Sequence, residues 1–111
     1  MQIGFDLTDE ERHVLGLLRP GRENARSVRF LAGMLGVSQV RLREIVRGLI
    51  EHHGICIGSR TGNPPGYYII TEPEEIEEVY RSLRHRGIMI LMRAARLKKI
   101  SVTEVFGQGE L

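Results

Sequence analysis

Apolar residues recur at helical spacing in three stretches of the first half of the chain, and each stretch follows a capping signal. Thr8 and Glu11 have the spacing of a capping box. Ser27 and Ser38 precede the second and third stretches, where a hydroxyl can accept a hydrogen bond from the first turn. The apolar positions are Val14, Leu15, Leu17 and Leu18, then Val28, Leu31, Ala32 and Leu35, then Leu42, Ile45, Val46, Leu49 and Ile50. The pattern therefore predicts three helices.

The periodicity changes after the third helix. Two short β-prone runs, Ile55–Ile57 and Tyr67–Ile70, flank a loop at 58–66 that is rich in glycine and proline. Two short strands around such a loop predict a β-hairpin with a mobile tip. The fold class expected from the whole pattern is mainly α with a small β-hairpin.

A long helix is predicted after the hairpin. Thr71 and Glu74 repeat the capping-box spacing, and the apolar stripe that follows stays in phase across Gly87. Its members are Ile76, Val79, Tyr80, Leu83, Ile90, Leu91, Ala94 and Leu97. We expect one helix to about Lys98, with a weak point at the glycine. A last short helix is expected at 101–106.

Composition narrows the class of protein without identifying it. The 111 residues suffice for one modest core, and 41% hydrophobic with 27% charged residues is typical of a soluble globular chain. Cys56 is the only cysteine, which favours a reducing setting over a disulfide scaffold. The segment Met1–Leu7 does not resemble a signal peptide, and the run Ile88–Met92 is too short to span a bilayer. We expect a cytoplasmic protein, and the net charge of +2 leaves the partner undecided.

The segment 31–38 carries a family resemblance. A small residue, Ala32, follows an apolar one, Gly36 lies at the turn, Val37 is a lone apolar plug, and Ser38 can cap the next helix. This order resembles the helix-turn-helix of bacterial and phage transcription regulators. The continuation into a hairpin resembles the winged-helix subclass and extends the match from Thr8 to Thr71. The resemblance implies a DNA-binding domain at 1–71, followed by a C-terminal helix and tail at 72–111.

The resemblance also implies which residues contact DNA. Side chains near the start of the second motif helix face base edges in the major groove, where Gln suits adenine and Arg suits guanine. The helix here is 38–51, and the wing at 58–66 is expected on the adjacent backbone or minor groove. The implied DNA-binding residues are Ser38, Gln39, Arg41, Arg43 and Arg47 on the helix, Arg60, Thr61 and Asn63 on the wing, and Arg26 and Arg29 before the motif.

Several functions stay open at this point. Sequence-specific binding of double-stranded DNA in transcriptional regulation is the leading hypothesis, and an accessory role in phage or plasmid replication or recombination is the second. A winged helix used for protein–protein contact without DNA is the third. The arginines of the motif helix are also compatible with an ordinary solvated face.

The C-terminal half adds two further alternatives. The basic residues between 81 and 99 have no acidic neighbour, so they form either a second nucleic-acid patch or a solvated helix face. The apolar positions from Ile88 to Leu97 exceed what a small core needs. This excess favours a homodimer through the C-terminal helix. Otherwise this half folds back on its own domain with a break at Gly87.

Neither an enzyme nor a metal site is expected. The chain contains no GxGxxG, GxxxxGK[ST] or GxSxG motif, so no phosphate loop or nucleophile elbow is indicated. His52, His53 and Cys56 lie close in sequence, but the chain has no CxxC or HxxxH pair to complete a zinc site. We therefore predict no catalytic residues, no cofactor, no metal and no membrane partner.

Overall fold

Helices form most of residues 7–108, the part of the chain that this computed structural model describes. The helices are α1 (Asp9–Leu17), a short 3-10 helix (Arg22–Asn24), α2 (Val28–Leu35), α3 (Gln39–His53), α4 (Pro73–Lys98) and α5 (Val102–Gln108). The strands β1 (Ile57–Arg60) and β2 (Gly66–Ile69) form one antiparallel sheet. The predicted fold class, mainly α with a small β-hairpin, is confirmed.

The capping residues define the starts of the first three helices, as predicted. The Thr8 hydroxyl accepts the Glu11 N–H at 3.1 Å, and the Thr8 N–H donates to the Glu11 carboxylate at 2.8 Å. Ser27 and Ser38 each accept the backbone N–H three residues further on, at 3.0 Å. Each hydroxyl satisfies one of the donors that a helix leaves unpaired at its first turn.

The chain divides into two compact units, Met1–Ile76 and Glu77–Leu111. The core of the first unit is built from the apolar stripes of α1, α2 and α3 together with β1. Its buried members are Leu7, Val14, Leu18, Leu31, Ala32, Leu42, Ile45, Val46, Leu49 and Ile57. These units are defined by packing, so the predicted boundary between a DNA-binding domain at 1–71 and a C-terminal part at 72–111 stays a prediction.

Strand β2 contacts both β1 and the segment before α2. Strand β2 pairs with β1 on one side, with Ile57 opposite Ile69. On its other side it forms isolated bridges with Pro20 and Arg26. Arg26 and Tyr67 exchange both backbone hydrogen bonds at 2.9 Å. The hairpin is therefore held from both edges of β2 and not only through its own turn.

The predicted bounds of the hairpin are wrong. Ile55 and Cys56 precede the first strand, and the predicted loop at 58–66 shrinks to 61–65 because both strands extend into it. Gly58 explains the error. The ring of the fully buried Tyr68 lies directly over this glycine and leaves no space for a Cβ. Gly58 therefore allows a close packing contact within a strand, whereas the composition of the segment 58–66 suggested a loop.

The predicted cap of α4 is also wrong. The helix begins at Pro73, and the carboxylate that closes its first turn belongs to Glu75 and not to Glu74. Glu75 is only 4% exposed and accepts the backbone N–H groups of Thr71 and Arg22, each at 3.0 Å. One buried carboxylate thus ties the start of α4 to the 3-10 helix.

The second unit contains the rest of α4 and α5. Helix α4 runs unbroken through Gly87, which confirms the predicted single helix to about Lys98. Ser101 caps α5 by accepting the Glu104 N–H at 3.2 Å, which confirms the predicted short helix, with bounds 102–108. A groove of about 330 Å³ is lined by Met89, Met92, Arg93, Arg96 and Leu97.

Candidate nucleic-acid interface

The turn between α2 and α3 is held by backbone hydrogen bonds. Gly36 has a φ of 77°, a left-handed conformation that glycine adopts without the steric cost of a Cβ. The N–H groups of Gly36 and Val37 both donate to the Ala32 carbonyl, at 2.8 and 3.1 Å. Val37 is half-buried against the core, as the pattern predicted. The angle at which α3 leaves α2 is therefore set by backbone bonds and an apolar contact.

One row of α3 brings three of the predicted contact residues together. The helix buries Leu42, Ile45, Val46 and Leu49. Residues four apart lie above one another on a helix. Gln39, Arg43 and Arg47 therefore form a single row, and all three are exposed. Neither arginine takes part in an ion pair within residues 7–108. We call this set the α3 row.

The neighbouring row of α3 has a different character. Val40, Glu44 and Glu51 lie there, because an α-helix turns about 100° per residue. All three are exposed, and Val40 is 65% exposed. The outer surface of α3 therefore combines a cationic row with an apolar and acidic one.

Arg41 lies on the opposite flank of α3, towards α1. Its guanidinium forms a hydrogen-bonded ion pair with Glu10 and lies 3.6 Å from the Glu44 carboxylate. The hydrogen bond to Glu10 raises the pKa of Arg41 above its ordinary value. The structure therefore separates Arg41 from the α3 row and pairs its charge with carboxylates of the first unit.

The hairpin places its predicted contact residues in two environments. Arg60 ends β1 and does not lie in the loop, and its guanidinium donates to the Arg22 carbonyl at 3.1 Å. This bond folds the side chain back onto the 3-10 helix. Thr61 and Asn63 are exposed in the turn. The exposed tip therefore presents small polar groups, while the cation lies at its base.

The two arginines before the motif also differ. The Arg26 guanidinium donates to the Leu17 carbonyl at 3.1 Å and lies 5.0 Å from the centre of the Phe30 ring. It is thus occupied by a backbone oxygen and a cation–π contact. Arg29 is exposed on α2. The assigned DNA-binding roles of both residues stay predictions.

The histidine and cysteine residues do not assemble a metal site. His53 lies 3.3 Å from the Glu11 carboxylate, and both side chains are mostly buried. The backbone N–H of Thr8 is the main cause of the lowered pKa of Glu11, and His53 adds to it. Cys56 is exposed. Across residues 7–108, no three His, Cys, Asp or Glu side chains cluster in a way that suits a metal ion.

Sequence reasoning missed two carboxylates: one that pairs with a predicted contact residue, and one that is buried beside the 3-10 helix. Glu10 binds Arg41 across two helices, 31 positions apart in the chain, and Glu75 reaches 53 positions back to Arg22. Neither contact has a periodic signature, since each depends on how separate elements pack. The only local hint is that Glu75 lies three residues after the last non-helical residue, which is the spacing of a capping box.

Comparisons with known proteins add no relative. No family model, curated protein or solved structure matches the chain. Of the helices within residues 7–108, none combines the length and the apolar character needed to cross a bilayer.

Proposed function

We propose that this protein binds double-stranded DNA through a winged helix-turn-helix at residues 1–71. The α3 row carries the proposal, because it exposes one amide and two guanidinium groups that form no ion pair within residues 7–108. It lies on a helix whose start is capped and whose preceding turn is held by backbone hydrogen bonds. The two-stranded sheet, held from both sides of β2, supplies the wing. Sequence-specific binding in transcriptional regulation is the proposed role, with neither catalysis nor a cofactor.

The proposed contacts follow from the chemistry of the row. Gln39 is suited to adenine and Arg43 to guanine, because each can form two hydrogen bonds with a base edge in the major groove. Arg47 lies one turn further on and is suited to a phosphate. The Ser38 hydroxyl is already used as a cap, so we assign it to positioning the helix. Thr61 and Asn63 can donate to the backbone beside the wing.

Binding to a generic duplex at low salt tests this proposal. Fluorescence anisotropy of the Arg43→Ala/Arg47→Ala variant should show an affinity lower by about tenfold or more and a shallower salt dependence. The matched control is Arg12→Ala/Arg19→Ala, which removes the same charge from outside the α3 row. Equal losses in the two variants would mean that net charge alone drives binding, and the assignment of the row would be wrong.

A second candidate function has its own support. Val40 is 65% exposed at the centre of the outer face of α3, and Phe30 and Met34 are 43% and 56% exposed on α2. Apolar side chains of this kind suit a protein partner better than a phosphate backbone. If no duplex binds at any salt concentration, contact with a protein replaces DNA binding as the proposed function.

The biological use of DNA binding requires a separate measurement. Mapping the sites that the protein occupies in its host separates regulation from an accessory role in phage or plasmid replication or recombination. Sites upstream of promoters support the regulator. Sites confined to replication origins or recombination junctions support the accessory role.

A further inference from the structure

Helix α4 carries an apolar face with the spacing of a coiled coil. Within the second unit its members are Tyr80, Leu83, Gly87, Ile90, Ala94 and Leu97, separated alternately by three and four residues. We call this set the α4 seam. An average spacing of about 3.5 residues keeps such a seam facing a partner helix along its whole length. A seam of these positions covers a narrower face of the helix than the apolar stripe that packs against a globular core.

The large members of the α4 seam are uncovered. Tyr80, Leu83, Ile90 and Leu97 are 58%, 56%, 58% and 80% exposed. Ala95, the buried residue of α4 within the described part of the second unit, lies on a different face. A contiguous row of exposed large apolar side chains marks an interaction surface. We infer that the α4 helix of a second copy of this chain covers the seam, in antiparallel orientation.

The sizes of the seam residues match in the antiparallel arrangement. It places Gly87 opposite Ile90 of the second copy, Ala94 opposite Leu83, and Tyr80 opposite Leu97, so that small and large side chains alternate across the interface. A parallel arrangement places Gly87 against Gly87 and Ala94 against Ala94. It would leave two layers without enough side-chain volume, which is unfavourable in a packed interface.

The charges along α4 favour the same orientation. Glu77 lies at the acidic start of the helix, and Lys98 lies at its basic end. Antiparallel packing brings each Glu77 beside Lys98 of the second copy, twice in the symmetric dimer. Parallel packing instead brings Arg93 beside Lys98, which repel each other. The ends of the two helix dipoles are also opposed favourably only in the antiparallel pair.

One contact in this register limits the affinity. Arg86 approaches Arg93 of the second copy, and like charges at flanking positions weaken a helix pair. Salt screens this repulsion together with the attraction of the Glu77–Lys98 pairs. The α4 seam is also short, so we expect an equilibrium between monomer and dimer in the micromolar range. This association is independent of the proposed DNA binding.

Sedimentation velocity of the full chain across micromolar concentrations tests the dimer. The native protein should shift from monomer to dimer, and Leu83→Glu should weaken the association at least tenfold. The control is Met89→Glu, which adds the same charge at a methionine that is 48% exposed on another face of α4. Circular dichroism confirms that both variants stay helical. A native protein that remains monomeric, or equal weakening by both variants, would overturn the inference.

Charge reversal tests the orientation separately. Glu77→Lys and Lys98→Glu should each weaken the dimer about threefold to tenfold, because each converts two attractive pairs into repulsive ones. The double variant restores the attraction and should recover the native dissociation constant. Additive weakening in the double variant would exclude the antiparallel register. The same variants should still bind DNA. A failure to bind DNA would contradict the DNA-binding proposal and not the dimer.

Discussion

Arg41 of α3 is paired with Glu10 of α1, so a residue expected to contact DNA is bound by a carboxylate of its own domain. Glu44 adds a second acidic neighbour at 3.6 Å. A phosphate group that approached Arg41 would compete with both carboxylates. We therefore expect Arg41 to contribute less to DNA affinity than Arg43, although both lie in the first half of α3.

Removing the Glu10 charge should strengthen DNA binding. In Glu10→Gln, the Arg41 guanidinium loses its ion-pair partner on α1 and becomes available for an additional phosphate contact. The affinity at low salt should rise several-fold, and the slope of log affinity against log salt should steepen by about one. Salt titration by fluorescence anisotropy gives both quantities.

The control for this prediction is Asp9→Asn. It removes the same charge from the neighbouring residue, which is ion-paired with Arg12 on the same helix at 3.5 Å. If Asp9→Asn increases the affinity and the slope as much as Glu10→Gln does, the effect reflects net charge. The pairing with Arg41 would then have no specific consequence for DNA binding.

Replacing Glu75 should destabilise the first unit. Its carboxylate accepts three backbone N–H groups and is almost fully buried. Glutamine keeps the shape, but only one of its two terminal atoms is an acceptor, and its amide nitrogen would face a backbone N–H on the other side. Glu75→Gln should therefore lower the free energy of unfolding by about 2 kcal/mol. Urea denaturation followed by circular dichroism measures this loss. The exposed neighbour provides the control, since Glu74→Gln should change stability by less than about 0.5 kcal/mol.

The stabilisation by Glu75 should disappear in acid. The backbone N–H of Thr71 is the main cause of a pKa below the ordinary value of 4.5, and those of Arg22 and Glu72 add to it. A carboxylate with a lowered pKa stabilises the fold above its unfolded pKa and loses this effect as the pH falls through its folded pKa. The stability difference between native protein and Glu75→Gln should therefore be constant above about pH 5.5 and shrink below about pH 4.5. A difference that stays constant into strong acid would contradict this account.

The starts of α1, α2 and α3 could be predicted from the sequence because their signals are local. Ser27 and Ser38 each bond to a backbone N–H only three residues away, so the residue types and their spacing determine the cap. The continuous course of α4 through Gly87 follows from an apolar stripe that stays in phase on both sides of the glycine.

The candidate site could be predicted only in part, because its geometry depends on contacts between distant segments. Gln39, Arg43 and Arg47 are four residues apart, so their position in one row could be predicted from the sequence alone. The positions of Arg60 and Arg26 depend on carbonyl groups of Arg22 and Leu17 that packing brings close. An arginine in a loop-like sequence therefore lies at the end of β1, in the last strand pair before the turn.

The contact between Gly58 and Tyr68 gives a final test of the hairpin. The two residues are paired across the sheet, and the buried Tyr68 ring occupies the space where a side chain at position 58 would lie. Gly58→Ala should force this ring to shift and lower the free energy of unfolding by about 1–3 kcal/mol, as overpacking does elsewhere. Gly16→Ala is the control, because a Cβ there has no neighbour within 4 Å and should stabilise α1 by about 0.5–1 kcal/mol. If Gly58→Ala is as stable as the native protein, Gly58 lies in an open turn and the shorter loop at 61–65 is incorrect.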